Sequence, residues 1–395
     1  MHEKTIFRTV RPWAPGRRKL AVLCAVGGAA LLAAGCSSSG GASSAGAASS
    51  AGAAAAPSGA AASCVAAATG RANAAKAPMT LGAIGKADAS AMKGKTFALI
   101  PQTAVASING VDDATQQALA TVGAKTVILN GQGLPDVITQ AFQTAVTERV
   151  AGIVTLGIPP AVFPAAYAVA KAAGVPVVAV DNGDPAGPLT GGVSSLVSES
   201  SEQEGVIQAD YALAQSGCKL HGVVVYANAS SSNVEFLDGV TAEVKKLCPP
   251  GDCSVDPLNL DVATFPTTLP GQVSTTLQHT PGINYLLSSA DTFVPYILQG
   301  RNALGSTVPV VGTLGDGLAK AIAGDGETAD VVWLPDSELG YYIAGAVMDA
   351  AGGTPKSVTL PVRLLDSGNW GTDADTARAQ GQAGFQAAFE KAWGL

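Results

Sequence analysis

From Lys95 onward, short apolar runs rich in Val, Ile and Leu alternate with stretches whose apolar residues recur at helical spacing. Thr96–Ile100 reads as a buried strand, Asp112–Val122 as a helix stopped by Gly123, and Thr126–Leu129 as the next strand. The helix from Pro135 to about Arg149, the strand Gly152–Leu156, the helix Pro160–Ala173 and the strand Val175–Val180 continue the series. Each unit takes about 25–28 residues, the length of a strand–helix–strand step. The strand runs are apolar throughout, as parallel strands covered on both faces require. A second series follows Gly191–Val197. Its helices are predicted at about Ser200–Gln215, Val234–Leu247, Pro270–Gln278, Phe293–Ala303 and Leu318–Ala323. Its strands are predicted at His221–Tyr226, Ser254–Leu258, Ile283–Leu287, Val308–Val311 and Asp330–Trp333. Two consecutive α/β series, neither holding a long structureless loop, predict two doubly wound parallel-sheet lobes. The stretch from about 80 to 395 also exceeds the size at which a single core usually stops growing.

The N-terminus follows different rules. Residues 1–19 carry six cations against one acid, Glu3, and an apolar stretch runs from Leu20 to Leu32. It closes on Leu32-Ala33-Ala34-Gly35-Cys36, so residues 1–35 have the basic, apolar and small-residue regions of an export signal. The interval between Lys19 and Cys36 is short for a membrane span of roughly twenty residues. Leu32–Cys36 resembles a bacterial lipobox, which implies that Cys36 is lipidated and becomes the mature N-terminus. An Ala/Ser/Gly-rich stretch follows, and the segment 36–80 is assigned to the lipid anchor and tether. Its first 27 or so residues lack large apolar groups to offset the entropy of ordering, and a flexible coil of that length reaches roughly 30 Å.

Removal of residues 1–35 takes six of the 23 Lys/Arg and one of the 30 Asp/Glu, leaving 17 against 29 and a net charge of −12. No Lys/Arg run remains, which disfavours nucleic acid and anionic membrane surfaces as partners. Four cysteines remain besides Cys24 and Cys36: Cys64, Cys218, Cys248 and Cys253. An even number in an exported chain favours disulfides. The spacing of Cys248 and Cys253 is wrong for a zinc knuckle, and no His ligands lie nearby, so no metal and no cofactor is expected. Cys218 and Cys248 each end a helix of the second series, so Cys218 is expected to pair with Cys248 or Cys253. The partner of Cys64 is left open.

Ligands of such sheets bind outside the carboxyl ends of the strands, and those positions are polar here. Gln102 and Thr103 follow the first strand, Asp181 and Asn182 the fourth, and Asn228 to Asn233 the first strand of the second series. Asp291, Thr313, Asp316, Trp333 and Asp336 complete the set. Asp316 and Asp336 stand at helix starts, where Asp also serves as a cap. The strand-end segments carry no Lys or Arg, which suits a neutral, hydroxyl-rich ligand better than a carboxylate or phosphate. No phosphate-binding glycine motif, no Gly-x-Ser-x-Gly elbow and no His near a strand's carboxyl end is present, which argues against nucleotide binding and catalysis.

Three segments in order, GIPPAVFPAAYAVAKAAGVPVVAVDN (157–182), VPVVGTLGDGLAKAI (308–322) and ADVVWLPDSELGYYIAGAVMDAAGG (329–353), resemble periplasmic sugar-binding proteins of the ribose- and galactose-binding type. That family is related to the ligand domain of the lactose repressor, and the resemblance covers about Lys95–Asp366. It implies a periplasmic-binding-protein type I fold with three crossings between lobes. The first lobe would take 95–195 and 335–366, the second 196–334 with the tail 367–395. It further implies a small-molecule ligand gripped in the cleft by lobe closure and delivered to the permease of an ATP-driven (ABC) importer. By position, Asp181 falls on the acid that bonds sugar hydroxyls, Asp291 and Asp316 on or beside polar contacts of the second lobe, and Trp333 on a hinge-side contact. The chain departs from the family at Val105-Ala106-Ser107-Ile108, and at Asn233 or Val234 where an Arg is usual. A rival reading is an extracellular sensor that presents ligand to a membrane receptor, since it needs the same clamp. The export signal and the absence of a DNA-binding headpiece exclude a cytoplasmic repressor.

Overall fold

The computed structural model describes residues 59–104, 106–183, 187–314, 326–369 and 382–395. The export signal, Cys36, the tether as far as residue 58, Asp316 and the helix expected over Leu318–Ala323 lie outside the described residues.

The chain opens with helix α1 (Gly59–Ala75) and builds a first sheet from β1 (Thr96–Pro101), β2 (Lys125–Ile128), β3 (Gly152–Leu156), β4 (Val177–Val180) and β5 (Ser195–Ser198). Helices α2 (Ala106–Thr121), α3 (Pro135–Thr147) and α4 (Pro164–Ala173) connect the first four of these strands. The second sheet holds β6 (His221–Tyr226), β7 (Ser254–Asn259), β8 (Tyr285–Ser288), β9 (Val310–Leu314) and β10 (Glu327–Val332). Its helices are α5 (Ser201–Gln215), α6 (Ser231–Leu247), α7 (Phe265–His279) and α8 (Val294–Asn302). Helix α9 (Asp336–Ala351), β11 (Val358–Thr359), β12 (Arg363–Asp366) and α10 (Phe385–Trp393) complete the described chain.

Among the described residues each sheet has six strands, in the orders β11-β5-β4-β3-β1-β2 and β12-β10-β9-β8-β6-β7. All pairings are parallel except β12 on β10. The connections from β1 and β6 leave in opposite directions on their two sides, so the carboxyl end beside each is the crevice where doubly wound sheets take ligands. Successive side chains of a strand point to opposite faces, and both faces are buried here. Phe97 and Leu99 join the core under α2 and α9, while Ala98 and Ile100 join the core under α3 and α4. In the second lobe Val224 faces α5 and α6, and Val223 and Val225 face α7 and α8. Helices α5 and α6 cross closely because Gly205 and Gly239 lack side chains. A Cβ on Gly205 would strike the Phe236 carbonyl, and one on Gly239 the Glu202 carbonyl.

The chain passes between lobes after β5, after β10 and between β11 and β12. Two assignments made from the sequence are corrected. Strand β12 joins the second sheet, and the tail helix α10 packs on the first lobe instead of the second. The reason lies in the apolar face of α10. Phe385, Phe389 and Trp393 recur every fourth residue and need an apolar partner, which Tyr341 and Tyr342 of α9 supply. Trp393 stacks on Tyr341 with ring centroids 5.4 Å apart, and Gln382 ties the tail down by donating from its backbone and side-chain N–H groups to buried Glu338.

The tether is also corrected, since residues 59–75 of the assigned 36–80 form a helix packed on α5. Ala61, Cys64, Ala68 and Ala72 make a narrow buried stripe at helical spacing. Ala is the strongest helix former, so a composition that reads as a flexible linker becomes a helix once a surface receives its stripe. Arg71 pairs with Glu243 of α6, and Lys76 with Asp366 of β12 at 2.6 Å.

The disulfides are Cys64–Cys218 and Cys248–Cys253, which overturns the expected pairing of Cys218. The three second-lobe cysteines are neighbours, since the sulfurs of Cys248 and Cys253 lie 3.6 and 3.5 Å from the Cys218 carbonyl oxygen. A turn at Pro249–Asp252 folds Cys248 onto Cys253, and α1 brings Cys64 to Cys218. The sequence separations are 154 and 5 residues. On loop-entropy grounds the first bond contributes on the order of 5 kcal/mol and the second on the order of 2. Urea unfolding of a Cys64→Ser/Cys218→Ser variant is expected to show the larger loss, and a Cys248→Ser/Cys253→Ser variant the smaller one.

Candidate functional site

The carboxyl ends of both sheets face a shared cleft of about 480 Å³. The first lobe contributes Gln102 after β1, Leu156 and Gly157 at the end of β3, and Asp181 and Asn182 after β4. The second lobe contributes Ser230 to Asn233 at the start of α6, Val262 after β7, and Ser289, Ala290 and Thr292 after β8. Glu199, Trp333 and Asp336 come from the segments that cross between lobes. Val162 and Val262, one from each lobe, line the cleft and are more than half exposed, so apolar surface is available on both sides.

Of the sequence-predicted residues, Gln102, Asp181, Asn182, Asn233, Trp333 and Asp336 lie in this wall. Asp181 has a left-handed backbone, φ 53°, which a residue other than Gly adopts rarely and Asp more readily than most. The Asn182 amide donates to the Val180 carbonyl at 2.7 Å, which leaves its oxygen buried and without a hydrogen bond in the protein. Asn233 Oδ1 accepts from the Ala227 N–H at 3.1 Å and from the Ser289 hydroxyl at 2.9 Å, so it holds the β6 and β8 loops together. Trp333 is buried, and its indole N–H has no hydrogen-bond partner in the protein.

The other predicted residues lie elsewhere. Thr103 sits beside the Gly131–Gly133 turn, off the cleft wall. Asn228 is exposed and belongs to a turn, its backbone N–H donating to Asn259 Oδ1 at 2.8 Å. Asp291 is fully buried and turns away from the cleft, although its neighbours Ala290 and Thr292 line it. Thr313 is buried in β9 against the Gln208 amide, which also donates to the Ser288 and Gly312 carbonyls.

Two acids of the wall escaped the sequence reading: Glu199, directly after β5, and Glu204 in the first turn of α5. Both are almost fully buried. The rule that found Asp181 after β4 finds Glu199 once β5 is counted as a first-lobe strand. Burial is the main cause that pushes the Glu199 carboxyl up to about 7, against its own backbone N–H and the side chains of Asp181 and Ser198. Glu204 is raised well above the ordinary range, first by burial and then by the charges of Glu199, Asp181, Asp330 and Asp291. A protonated carboxyl donates as well as accepts, so the wall offers both kinds of group without a basic residue. No Lys, Arg or His lines the cleft among the described residues. His221 and His279 are exposed, His221 at the opposite edge of the second sheet and His279 at the end of α7.

A two-lobed α/β clamp with its polar groups gathered between the lobes defines a class of binding protein. A family model described as a periplasmic binding protein domain matches residues 97–355, and the chain belongs to that family. No curated protein sequence matches the chain. Among solved structures, an ABC transporter solute-binding protein from Bacillus halodurans with bound myo-inositol is similar at TM-score 0.62 and 12% identity, covering 73% of this chain and 98% of that one. One from Mycobacterium smegmatis with bound glycerol has TM-score 0.61 and 19% identity, covering 70% and 96%. One from Agrobacterium vitis with bound allitol has TM-score 0.62 and 18% identity, covering 72% and 99%.

The buried acids set the pH response of the unliganded protein. The folded state holds the Glu199 proton more tightly than the unfolded chain does, so this contribution is full below the unfolded carboxyl value and is lost as pH rises through about 7. Thermal melts from pH 5 to pH 8 are expected to show falling stability, with a shallower fall in Glu199→Gln. An equal slope in both proteins would remove Glu199 from this account.

Proposed function

We propose that the protein is an extracytoplasmic solute-binding lipoprotein of an ABC importer, and that it captures a neutral, hydroxyl-rich molecule by closure of its lobes. One observation carries the reading. Asn182 Oδ1, Glu204 Oε1 and Trp333 Nε1 are buried polar atoms in one cleft wall, and none has a hydrogen-bond partner in the protein. Buried polar groups are normally paired, and a ligand bearing hydroxyls satisfies donors and acceptors alike. The surrounding acids and the absence of Lys and Arg from the described residues of the wall oppose a carboxylate or phosphate. The polyols bound in the similar structures belong to the same chemical class.

A thermal-shift screen of sugars, cyclitols and linear polyols against organic acids, amino acids and sugar phosphates tests the ligand class. Stabilisation is expected from a member of the first group. Calorimetry of Asp181→Ala with that ligand is expected to show a loss of about 1.5–3 kcal/mol, or roughly 10- to 150-fold in Kd. Tight binding of anions alone would overturn the reading.

The anchor rests on the lipobox-like end of the export signal. Mass spectrometry of the membrane-associated protein is expected to find an acylated N-terminal Cys36. A chain in which Ala33–Cys36 is intact would show that the anchor is wrong while leaving the binding reading in place.

A further inference from the structure

Behind the second-lobe wall of the cleft lies a group of acids that ligand capture does not use. Asp291, Glu327 and Asp330 each present a carboxylate oxygen within 4.8 Å of the other two, and all three are buried. They are brought together by the sheet. Asp291 opens the short turn after β8, Glu327 begins β10, and Asp330 pairs in register with Gly312 of β9. Two further observations concern the space between them. Both carboxylate oxygens of Glu327 are buried without a hydrogen-bond partner, and Glu327 is only 4% exposed. The Gly312 N–H is turned toward that carboxylate but falls short of hydrogen-bond geometry. None of the ion pairs among the described residues involves Glu327. Gly312 also leaves a cradle, since a Cβ there would strike Glu327 Oε1 and Asp291 Oδ1 together.

We propose that Asp291, Glu327 and Asp330 form a binding site for a hard divalent cation of the size of Ca²⁺. Carboxylate oxygens are the ligands that such cations select, and each of the three residues offers one here, with both oxygens of Glu327 turned to no hydrogen-bond partner. Two Ca²⁺–oxygen bonds of 2.3–2.6 Å span about 5 Å, so oxygens lying within 4.8 Å of one another can share one such ion, whereas Mg²⁺ demands near-ideal octahedral geometry and keeps several waters, for which a buried acidic pocket offers little room. A cation here holds the turn that begins at Asp291, and with it Ala290 and Thr292, against the ends of β9 and β10. Its role is to fix the second-lobe wall of the cleft. The site does not depend on which solute the cleft takes.

The test uses the mature chain dialysed against EDTA and then given Ca²⁺, Mg²⁺ or Mn²⁺ at constant ionic strength, with NaCl as control. Ca²⁺ is expected to raise the melting temperature saturably, by on the order of 5 °C, with one ion per chain by elemental analysis. The shift should be smaller with Mg²⁺ and absent in Glu327→Gln. A divalent ion that leaves the melting temperature unchanged and does not remain bound overturns the proposal, as does an equal shift in Glu327→Gln. Should Glu327→Gln fail to fold, the stoichiometry and melting shift of the unmodified chain decide, with Asp330→Asn as the second variant.

Discussion

The structure depends on the need of parallel strands to be covered on both faces. In each lobe the sheet is sandwiched between helices, and the core splits into two clusters, one per face. This leaves polar side chains few places to emerge from a strand. Residues inside β1, β3, β4 and β6 are almost all apolar, and the chain turns polar where these strands end, at Gln102, Asp181, Asn182 and Asn228. Chemistry collects at the carboxyl ends because the faces are closed, and the two lobes present those ends to one another.

The same constraint explains the buried carboxyls. A carboxylate inside a dry wall is costly unless it is paired, protonated or bound to a cation. Near the cleft, burial is the chief cause that raises both Glu199 and Glu204, which favours their protonated forms. Farther back, burial and then the Asp291 charge push Glu327 up to about 9, with the Gly312 N–H opposing. The two groups sense one another, since the Asp291 and Asp330 charges contribute to the rise at Glu204. The second lobe therefore carries a run of acids from the cleft into its core, and its polarity is set by how many of them are ionised.

Much of this was legible in the sequence. Unbroken apolar strands at regular spacing specified the two lobes, and the strand-end rule found Gln102, Asp181, Asn182, Asn233 and Trp333 in the wall. The failures have separate physical causes. Glu199 was passed over because Gly191–Val197 read as a boundary between series, when its end supplies β5 of the first sheet. Asp291 was placed in the site because position along the chain does not tell on which side of a turn a side chain leaves. Helix α1 was invisible because Ala carries too little apolar surface to mark a face, and its stripe becomes apparent only against α5. The disulfide of Cys218 followed from that omission, since the partner lay on a helix nobody would assign from composition alone.

Helix α1 also alters how the clamp is connected. Three crossings join the lobes by the order of strands, and the segment after α1 adds a fourth link. Cys64 and Arg71 fix α1 to the second lobe, and the Lys76 carbonyl accepts from Arg363 Nε of β12. A few residues later Met79, Leu81 and Ile84 pack on the first-lobe core, and the Gly82 N–H donates to the Tyr342 hydroxyl at 2.8 Å. Any motion that changes the angle between lobes must therefore bend residues 76–82 together with the three crossings. These residues contain Pro78 and Gly82 and no regular secondary structure, so they bend without breaking a helix or a sheet ladder. A pull transmitted along the chain from residue 58 enters through α1, which is fixed to the second lobe by a covalent bond and an ion pair. The first lobe receives it through the bend and the three crossings. With the proposed anchor at Cys36, the second lobe is the one tied to it, because Cys64 of α1 is bonded to Cys218.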